Sequence, residues 1–446
     1  MIPGPLSPVS CLLSHVSLPL RRDQALGDRY HLNVCAEDIR MRGFRERSSV
    51  DEALAAALDG VGPLPAEAIP VVEAGGRVLA GAVSSRVNVP GFRRATMDGY
   101  AVLAEDTYGA SPYNPIPLRV VGVSLPGAEA NDTIKPGECL RIMTGAPIPD
   151  SADAVLKAED TNGAERSIEA TAAVPVGRNI GRIGEDVTVG DTILHSGRHL
   201  LPQDVGLLTA VGHTPVHVVR RPVVRIIISG DELLPPGAAP AGPSIVDSNS
   251  PMLSTLVERD GGVPQILRLP DDREAMEEAL RRDGADVIIT AGAASVGTED
   301  RVPVLVAELG TLTIHGITMR PSAPTGVGTI DGVRVVILPG NPVACLAAYD
   351  FFAGPLVRSL GGRSPEWPYR TTERLLARRL VSQVGRTDYA RVVITGNLVE
   401  PIAISGSSVL SSVTRASGFV VVPASSEGYA EGTPVTIHCY GEDCSR

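Results

Sequence analysis

Residues 286–300 read DVIITAGAASVGTED. An apolar run, Val287 to Ile289, stops at a loop of Gly and Ala that ends in two carboxylates, Glu299 and Asp300. Alone, the stretch is either a buried strand feeding a ligand-holding loop or a tight turn before a helix. Its neighbours decide. VVRIIISG (223–230), VPQILRLP (263–270) and VRVVILPG (333–340) are further strand-like runs that stop at Gly or Pro. Between and after them lie segments of helical period: SNSPMLSTLVERDGG (248–262), DDREAMEEALRRDGA (271–285), DRVPVLVAELG (300–310) and NPVACLAAYDFFAGPLVRSLGG (341–362). Strand and helix alternate over residues 222–360, which predicts a doubly wound α/β domain on a mainly parallel sheet.

Ligands of such sheets sit beyond the carboxyl ends of the strands. Here those ends are SGDEL (229–233), LPDD (269–272), TAGAASVG (290–297) and LPGNP (338–342). Any one of these loops reads as a turn plus a helix cap. Four on one edge read as a site. In LPGNP, Asn341 is placed to cap and Pro342 to open a helix, so its free amides suit a phosphate or another anion. The acids Asp231, Glu232, Asp247, Asp272, Glu299 and Asp300 would repel an oxyanion, but with Mg²⁺ bound they become hard oxygen ligands that bridge it to phosphates. Asp271, which precedes a helix, reads as a cap.

Outward from this core the texture changes. Ser49, with Glu52 three residues on, predicts a capping box that opens a helix over DEALAAAL, closed by Gly60. Residues 61–219 are rich in Val, Pro and Gly in short alternating runs, with short helices such as PQDVGLLTAVG, and read as mostly β. ATMDGYAV (95–102) and RIMTGAPIP (141–149) read locally as turns, the first through its Asp98-Gly99 dipeptide. GGRSPEW reads as a linker, and residues 366–446 as a small β barrel or sandwich.

At 446 residues the chain exceeds one core and suggests about three domains. A net charge of −11 and only 3% aromatics argue against a nucleic-acid binder. Arginine supplies almost all the positive charge, the lysines being Lys135 and Lys157. Six cysteines without a C-x-x-C pair suit a reducing cytoplasm better than a disulfide framework. No apolar run reaches the roughly 20 residues that span a bilayer. VSCLLSHVSLPL (9–20) is followed, not preceded, by Arg21 and Arg22, the wrong order for a signal peptide. Residues 1–40 read as a disordered or spurious extension. There is no P-loop, zinc-protease motif or nucleophile elbow, and no histidine is assigned to catalysis.

The motifs MDGYAV, RIMTGAPIP, ADAV, GRIGEDV, SGDELLPPG, DSN (247–249), LPGNPV, GRTDYAR (385–391) and GSSVLSSVTRASG follow one another in an order that resembles the molybdopterin molybdenumtransferase family, the molybdenum insertases that include the C-terminal domain of gephyrin. The resemblance runs from about residue 41 to 446. It implies a multidomain homodimer: a helix at 41–58 packed with the α/β domain, a discontinuous linker or helical domain at 59–84 and 187–219, a β-rich domain at 85–186, a molybdopterin-binding α/β domain at 220–365 and a C-terminal β domain at 366–446. It implies that molybdate is inserted into adenylylated molybdopterin with Mg²⁺-dependent release of AMP, between the α/β domain of one subunit and the MDGYAV region of the other. Further partners implied are the molybdopterin adenylyltransferase and recipient molybdoenzymes, with no nucleic acid and no membrane.

Carried over by motif, the resemblance makes Asp98, Thr144, Glu232, Asp272 and Asp300 catalytic, with the last three as metal ligands. Asp186, Ser229, Gly230, Gly292, Ser295, Gly297, Arg320, Pro339, Gly340 and Asn341 would hold the pterin nucleotide. Two departures stand out. The family's Gly-Gly loop carries Ala291, Ala293 and Ala294, and its R/K-P-G-K-P reads Arg320-Pro321-Ser322-Ala323-Pro324, so a lysine has become Ala323. Losing a charge-assisted contact costs on the order of 1.5–3 kcal/mol. Arg93 and Arg94 are candidates to replace that charge. A non-catalytic molybdopterin-binding scaffold is the alternative that these changes raise, and an α/β domain confined to nucleotide chemistry is the third reading.

Overall fold

The computed structural model describes residues 47–129, 131–240, 242–292 and 301–441. The extension at 1–40 lies outside them. Helix α1 (Val50–Leu58) begins with the expected capping box: Glu52 N donates to Ser49 Oγ at 3.2 Å and Ser49 N to the Glu52 carboxylate at 2.8 Å. Its small residues Ala53 and Ala57 are fully buried against the α/β core, which is how so short a helix docks.

Strand β1 (Ala66–Ile69) leads to β2 (Val83–Ser84), and the chain then departs. It builds β3 (Gly99–Val102), β4 (Ile116–Ser124), β5 (Glu138–Ile142), β6 (Ala154–Lys157) and β7 (Ser167–Ala170), one sheet in the order β6-β3-β5-β4-β7. It returns through β8 (Thr192–Leu194), α2 (Pro202–Ala210) and β9 (Val216–Val219). β8 pairs with β2 and β9 with β1, both antiparallel, so the excursion starts and ends side by side. Asp98-Gly99 is not the hairpin turn its dipeptide suggests. Gly99 opens β3, and a Cβ there would lie 2.0 Å from the Leu156 carbonyl oxygen, so the glycine serves close strand approach.

The α/β domain follows as β10 (Val223–Ser229), α3 (Asn249–Arg259), β11 (Val263–Leu269), α4 (Arg273–Arg281), β12 (Val287–Ala291), α5 (Val302–Leu309), β13 (Thr311–His315), β14 (Gly326–Ile330), β15 (Val333–Leu338) and α6 (Pro342–Leu360). Its sheet runs β11-β10-β12-β15-β14-β13. The first four strands are parallel, while β14 and β13 extend the sheet antiparallel. These two escaped the sequence reading because TLTIH and GVGTI lack an apolar run. Gly328 is needed where β14 meets β13, since a Cβ would approach the Thr311 oxygen to 2.6 Å. Helix α6 has 19 residues and passes a membrane-span test by length and composition, yet 89% of its apolar window is buried, as in a core helix. Its middle, Tyr349–Ala353, is a π turn.

The tail settles as a barrel. Strands β16 (Arg370–Leu376), β17 (Thr387–Thr395), β18 (Leu398–Ala403), β19 (Gly418–Val422) and β20 (Pro434–Cys439) close in the ring β17-β18-β16-β20-β19-β17. Closure removes the open edges that a sandwich would leave. Cys139 and Cys345 are free and buried, whereas Cys439 is disulfide-bonded, a departure from the expected all-thiol chain.

The GGRSPEW segment is clamped rather than free. Trp367 Nε1 donates to the Asp350 carbonyl at 2.9 Å, and Arg358 Nη2 to the Pro365 carbonyl at 2.8 Å. Beneath it, Arg259 reaches Asp260 and Asp350, both at 3.0 Å, Arg358 reaches Asp260 at 2.8 Å, and Tyr369 donates to Asp350 at 2.9 Å. Both carboxylates are fully buried, and burial pushes Asp350 above the usual carboxylate range against the pull of Arg259. The chain's single tryptophan, Trp367, packs on Phe351, Phe419 and His438 at this junction. Asp350→Ala leaves Arg259 and Tyr369 short of an acceptor and should cost about 3–5 kcal/mol, read as an earlier urea transition in Trp367 fluorescence.

Candidate functional site

The described parts of the four expected loops leave one edge together. Ser229 is level with Leu269, Ile228 with Ala291, and Ala291 with Leu338, so the parallel strands end together. From β10 one connection runs to β11, and the next crosses back to β12 on its other side. The strand order therefore reverses between β10 and β12, the usual place for a ligand crevice. There the backbones touch. Gly292 has φ +103°, and a Cβ on it would lie 2.5 Å from the Ser229 oxygen; one on Gly340 would lie 3.3 Å from the Gly292 Cα. Asn249 Nδ2 donates to the Gly340 carbonyl at 2.7 Å, and its buried Oδ1 has no partner among the described residues. Asp271 N donates to Asp231 Oδ1 at 3.1 Å and brings in the fourth loop.

The acids divide by role. Asp272, not Asp271, caps α4, accepting from Ala275 N at 2.8 Å through Oδ1. The sequence could not choose between adjacent aspartates, because the backbone's entry angle chooses. Asp247 is buried and structural: it accepts from Ser250 N and from Arg268 Nε, both at 2.9 Å, and so fixes the start of α3. Asp231, Glu232 and Asp272 stand exposed on adjoining loops. Ala293, Ala294, Ser295, Gly297, Glu299 and Asp300 lie outside the described residues. Among the described residues no three His, Cys, Asp or Glu side chains converge as a metal-binding group.

At the other end of this edge, where Pro339 and Asn341 leave β15, the α/β domain and the barrel enclose a cavity of 360 Å³. Arg47, Arg320 and Arg386 line it, together with Ala323, Asn341 and Ser407. Asn341 does not cap α6 with its side chain. It donates to Ser407 Oγ at 3.1 Å, while Val343 N donates to the Ser407 carbonyl at 2.9 Å. Arg320 and Arg386 flank the fully buried Asp388 at 2.8 and 2.9 Å. Behind the Ser405 carbonyl, Arg391 is fully buried, and its Nε and Nη1 have no partner among the described residues. Ser322 holds φ +95° where the family has glycine, and its hydroxyl donates to the Ala344 carbonyl at 2.7 Å, which offsets part of the strain. The cation missing at Ala323 therefore has three arginine neighbours. Arg386 and Ser407 were visible only as members of GRTDYAR and GSSVLSS, and Arg47 carried no signal.

A second patch lies in the β-rich sheet. Asp98 Oδ1 accepts from both Thr144 N, at 2.7 Å, and Thr144 Oγ1, at 2.8 Å. The backbone bond and then the hydroxyl hold this exposed carboxyl below its usual range. Glu185 pairs with Arg94 at 2.8 Å, and Asp186 is exposed beside it. Arg93 donates to the Pro149 and Ala152 carbonyls at 3.1 and 3.4 Å. Arg93 is thus oriented by carbonyls, and Arg94 is paired with Glu185. Among the described residues no hydrogen bond joins this patch to the sheet edge.

Three family models match in order: MoeA N-terminal region (domain I and II) at 48–212, Probable molybdopterin binding domain at 225–359, and MoeA C-terminal region (domain IV) at 374–440. Molybdopterin molybdenumtransferase 2 of Mycobacterium tuberculosis is 34% identical over 386 residues, 83% of this chain and 94% of that protein. The chain belongs to the molybdopterin molybdenumtransferase (MoeA) family. The Bacillus subtilis molybdopterin molybdenumtransferase is 31% identical over 81% of this chain and 86% of its own length. Two crystal structures of the Pyrococcus horikoshii molybdopterin biosynthesis MoeA protein, 32% identical, give TM-scores of 0.76 and 0.72 and cover 89% of this chain and 100% of theirs. Membership makes this chain a transferase of molybdenum cofactor biosynthesis.

Two outcomes follow for these insertase-family loops. Gly292→Ala sets a methyl against the Ser229 carbonyl and should cost about 1–3 kcal/mol, seen as earlier thermal unfolding. Thr144→Val removes the hydroxyl bond, so the Asp98 pKa should rise toward its ordinary value in a carboxyl NMR titration. Because the folded pKa is depressed, the Asp98–Thr144 contact is complete above the ordinary aspartate pKa and is lost as pH falls through the depressed value.

Proposed function

We propose that this protein inserts molybdenum from molybdate into adenylylated molybdopterin and releases AMP in a Mg²⁺-dependent step. The observation that carries the reading is the close-packed backbone floor where Gly292 and Gly340 meet the Ser229 carbonyl, with carboxylates toward β11 and arginines beyond β15. A flat pterin nucleotide needs such a floor. Its phosphates and the incoming oxyanion need opposite charges at the two ends.

The donor set fits magnesium. Glu232 and Asp272 are hard oxygen donors on adjoining exposed loops, Asp272 keeps one carboxylate oxygen beside its capping bond, and Asp300 is the third candidate by sequence. Magnesium commonly takes one or two carboxylates and completes its shell with water and substrate phosphates. When bound it would neutralise charge building on the departing AMP phosphate. Arg47, Arg320 and Arg386 would hold molybdate, and Asn341 and Ser407 would offer it polar contacts. The protein works as a homodimer in this reading, with Asp98, Thr144 and Asp186 of one subunit facing the sheet edge of the other. Their separation from that edge within one chain supports this arrangement.

The test is release of AMP from adenylylated molybdopterin with Mg²⁺ and molybdate. Release should depend on molybdate, and Glu232→Ala or Asp272→Ala should slow it roughly tens- to hundreds-fold, as expected for a lost charge-assisted contact. Arg386→Ala should raise the molybdate concentration needed for half-maximal release, while Ala323→Lys, a fourth cation in an arginine pocket, should change it less than about tenfold. Pterin binding without turnover would instead leave a scaffold.

A further inference from the structure

A second cavity, of 220 Å³, opens at the other end of the parallel sheet. Its wall includes Val219 and Arg221, just before β10, so the seven residues of that strand, about 20 Å, separate it from the ligand edge. Gly76 and Arg77 come from the segment after β1, Gly261 from the end of α3, and Arg363 from the chain after α6. Among the described residues no lining residue is aromatic, and only Val78 and Val219 are apolar. The space equals roughly seven waters of liquid volume.

Two of its arginines, Arg221 and Arg363, are fixed by carbonyls without a paired carboxylate among the described residues. Arg221 Nε donates to the Gly261 carbonyl at 3.1 Å and Nη2 to the Gly262 carbonyl at 2.6 Å. Arg363 Nη1 donates to the Arg259 carbonyl at 3.2 Å and Nη2 to the Gly76 carbonyl at 2.9 Å. Carbonyl oxygens orient a guanidinium but carry no net charge. Arg221 Nη1 and Arg363 Nε make no described bond. The third guanidinium, Arg77, pairs with Glu67 and also donates to the Val219 carbonyl at 3.0 Å. Gly261, at φ +90°, lets Arg363 lie flat: a Cβ there would sit 2.9 Å from its Cζ. The one acid in the lining is Glu258, which is exposed. Burial lowers the Arg363 pKa and its like-charged neighbours Arg221, Arg358 and Arg77 add to this, while Asp260 opposes it. By contrast Arg259 and Arg358, nearby in the fold, have buried carboxylates of their own.

We propose that this cavity binds a phosphate oxyanion, free or as the end of a small phosphate ester, between Arg221 and Arg363. A planar guanidinium pair matches tetrahedral oxyanions, and the lack of aromatic walls leaves nothing to stack a nucleobase. The bound anion would brace the Gly76–Arg77 turn against the α/β domain. The inference is independent of the reaction proposed for the sheet edge.

The experiment is calorimetric titration of the whole protein with inorganic phosphate, pyrophosphate and AMP at constant ionic strength, with a crystal of the wild-type protein soaked in phosphate. The expected result is density between Arg221 and Arg363, and a phosphate affinity at least tenfold weaker in Arg221→Gln but unchanged in Arg386→Ala. AMP binding as tightly as phosphate, with the same dependence on Arg221, identifies the ester as the ligand form. No heat with any of the three, or affinity lost in Arg386→Ala and kept in Arg221→Gln, overturns the proposal. The soaked crystal decides even where Arg221→Gln does not fold, since an empty cavity refutes it.

Discussion

The buried pairing of Arg259 and Arg358 with Asp260 and Asp350 is the constraint on which the site's shape depends. It ties the end of α3 to the π turn of α6 and, through Tyr369 and Trp367, to the first strand of the barrel. Buried ion pairs are seldom a large net source of stability, because desolvation cancels much of the attraction. Their use here is positional. The barrel has to stand where Ser407 meets Asn341 and Val343, or the amino end of α6 loses its partner and the arginine cavity loses a wall. Asp350 sits in the π turn, where it meets Arg259 while the helix continues.

Charge at the candidate site is sorted along one line. Asp231, Glu232 and Asp272 follow the strands at one side of the sheet, and Arg47, Arg320 and Arg386 gather beyond β15. Between them lie glycines whose backbones are in contact. A chain with net charge −11 thus carries a local basic pocket without a general basic face. One buried carboxylate, Asp388, holds Arg320 and Arg386 in place.

Much of this was legible in the sequence, and what was not has physical causes. Alternating apolar runs and amphipathic helices announced the α/β domain and the common edge where its strands end, because burial on both sheet faces demands such runs. The antiparallel β13 and β14 were hidden because their Thr- and Gly-containing runs, although β14 is mostly buried, show no continuous apolar stretch. Asp98-Gly99 misled because one dipeptide serves both a hairpin and a close strand approach. The capping role fell on Asp272 rather than Asp271, a choice made by a loop tied to Asp231. The arginine cavity joins residues 47, 320 and 386, a separation no local pattern can bridge.

The excursion from β2 to β8 has a consequence for how the molecule forms. Strand β1 cannot find β9 until about 150 further residues have left the ribosome, a separation that makes unaided closure slow. The five-stranded sheet in between has its own buried cores. If it forms first it draws Ser84 and Thr192 together and shortens the span that the outer pair has to close. Order of synthesis and order of assembly then coincide, with the inserted module acting as the clasp for the one that hosts it.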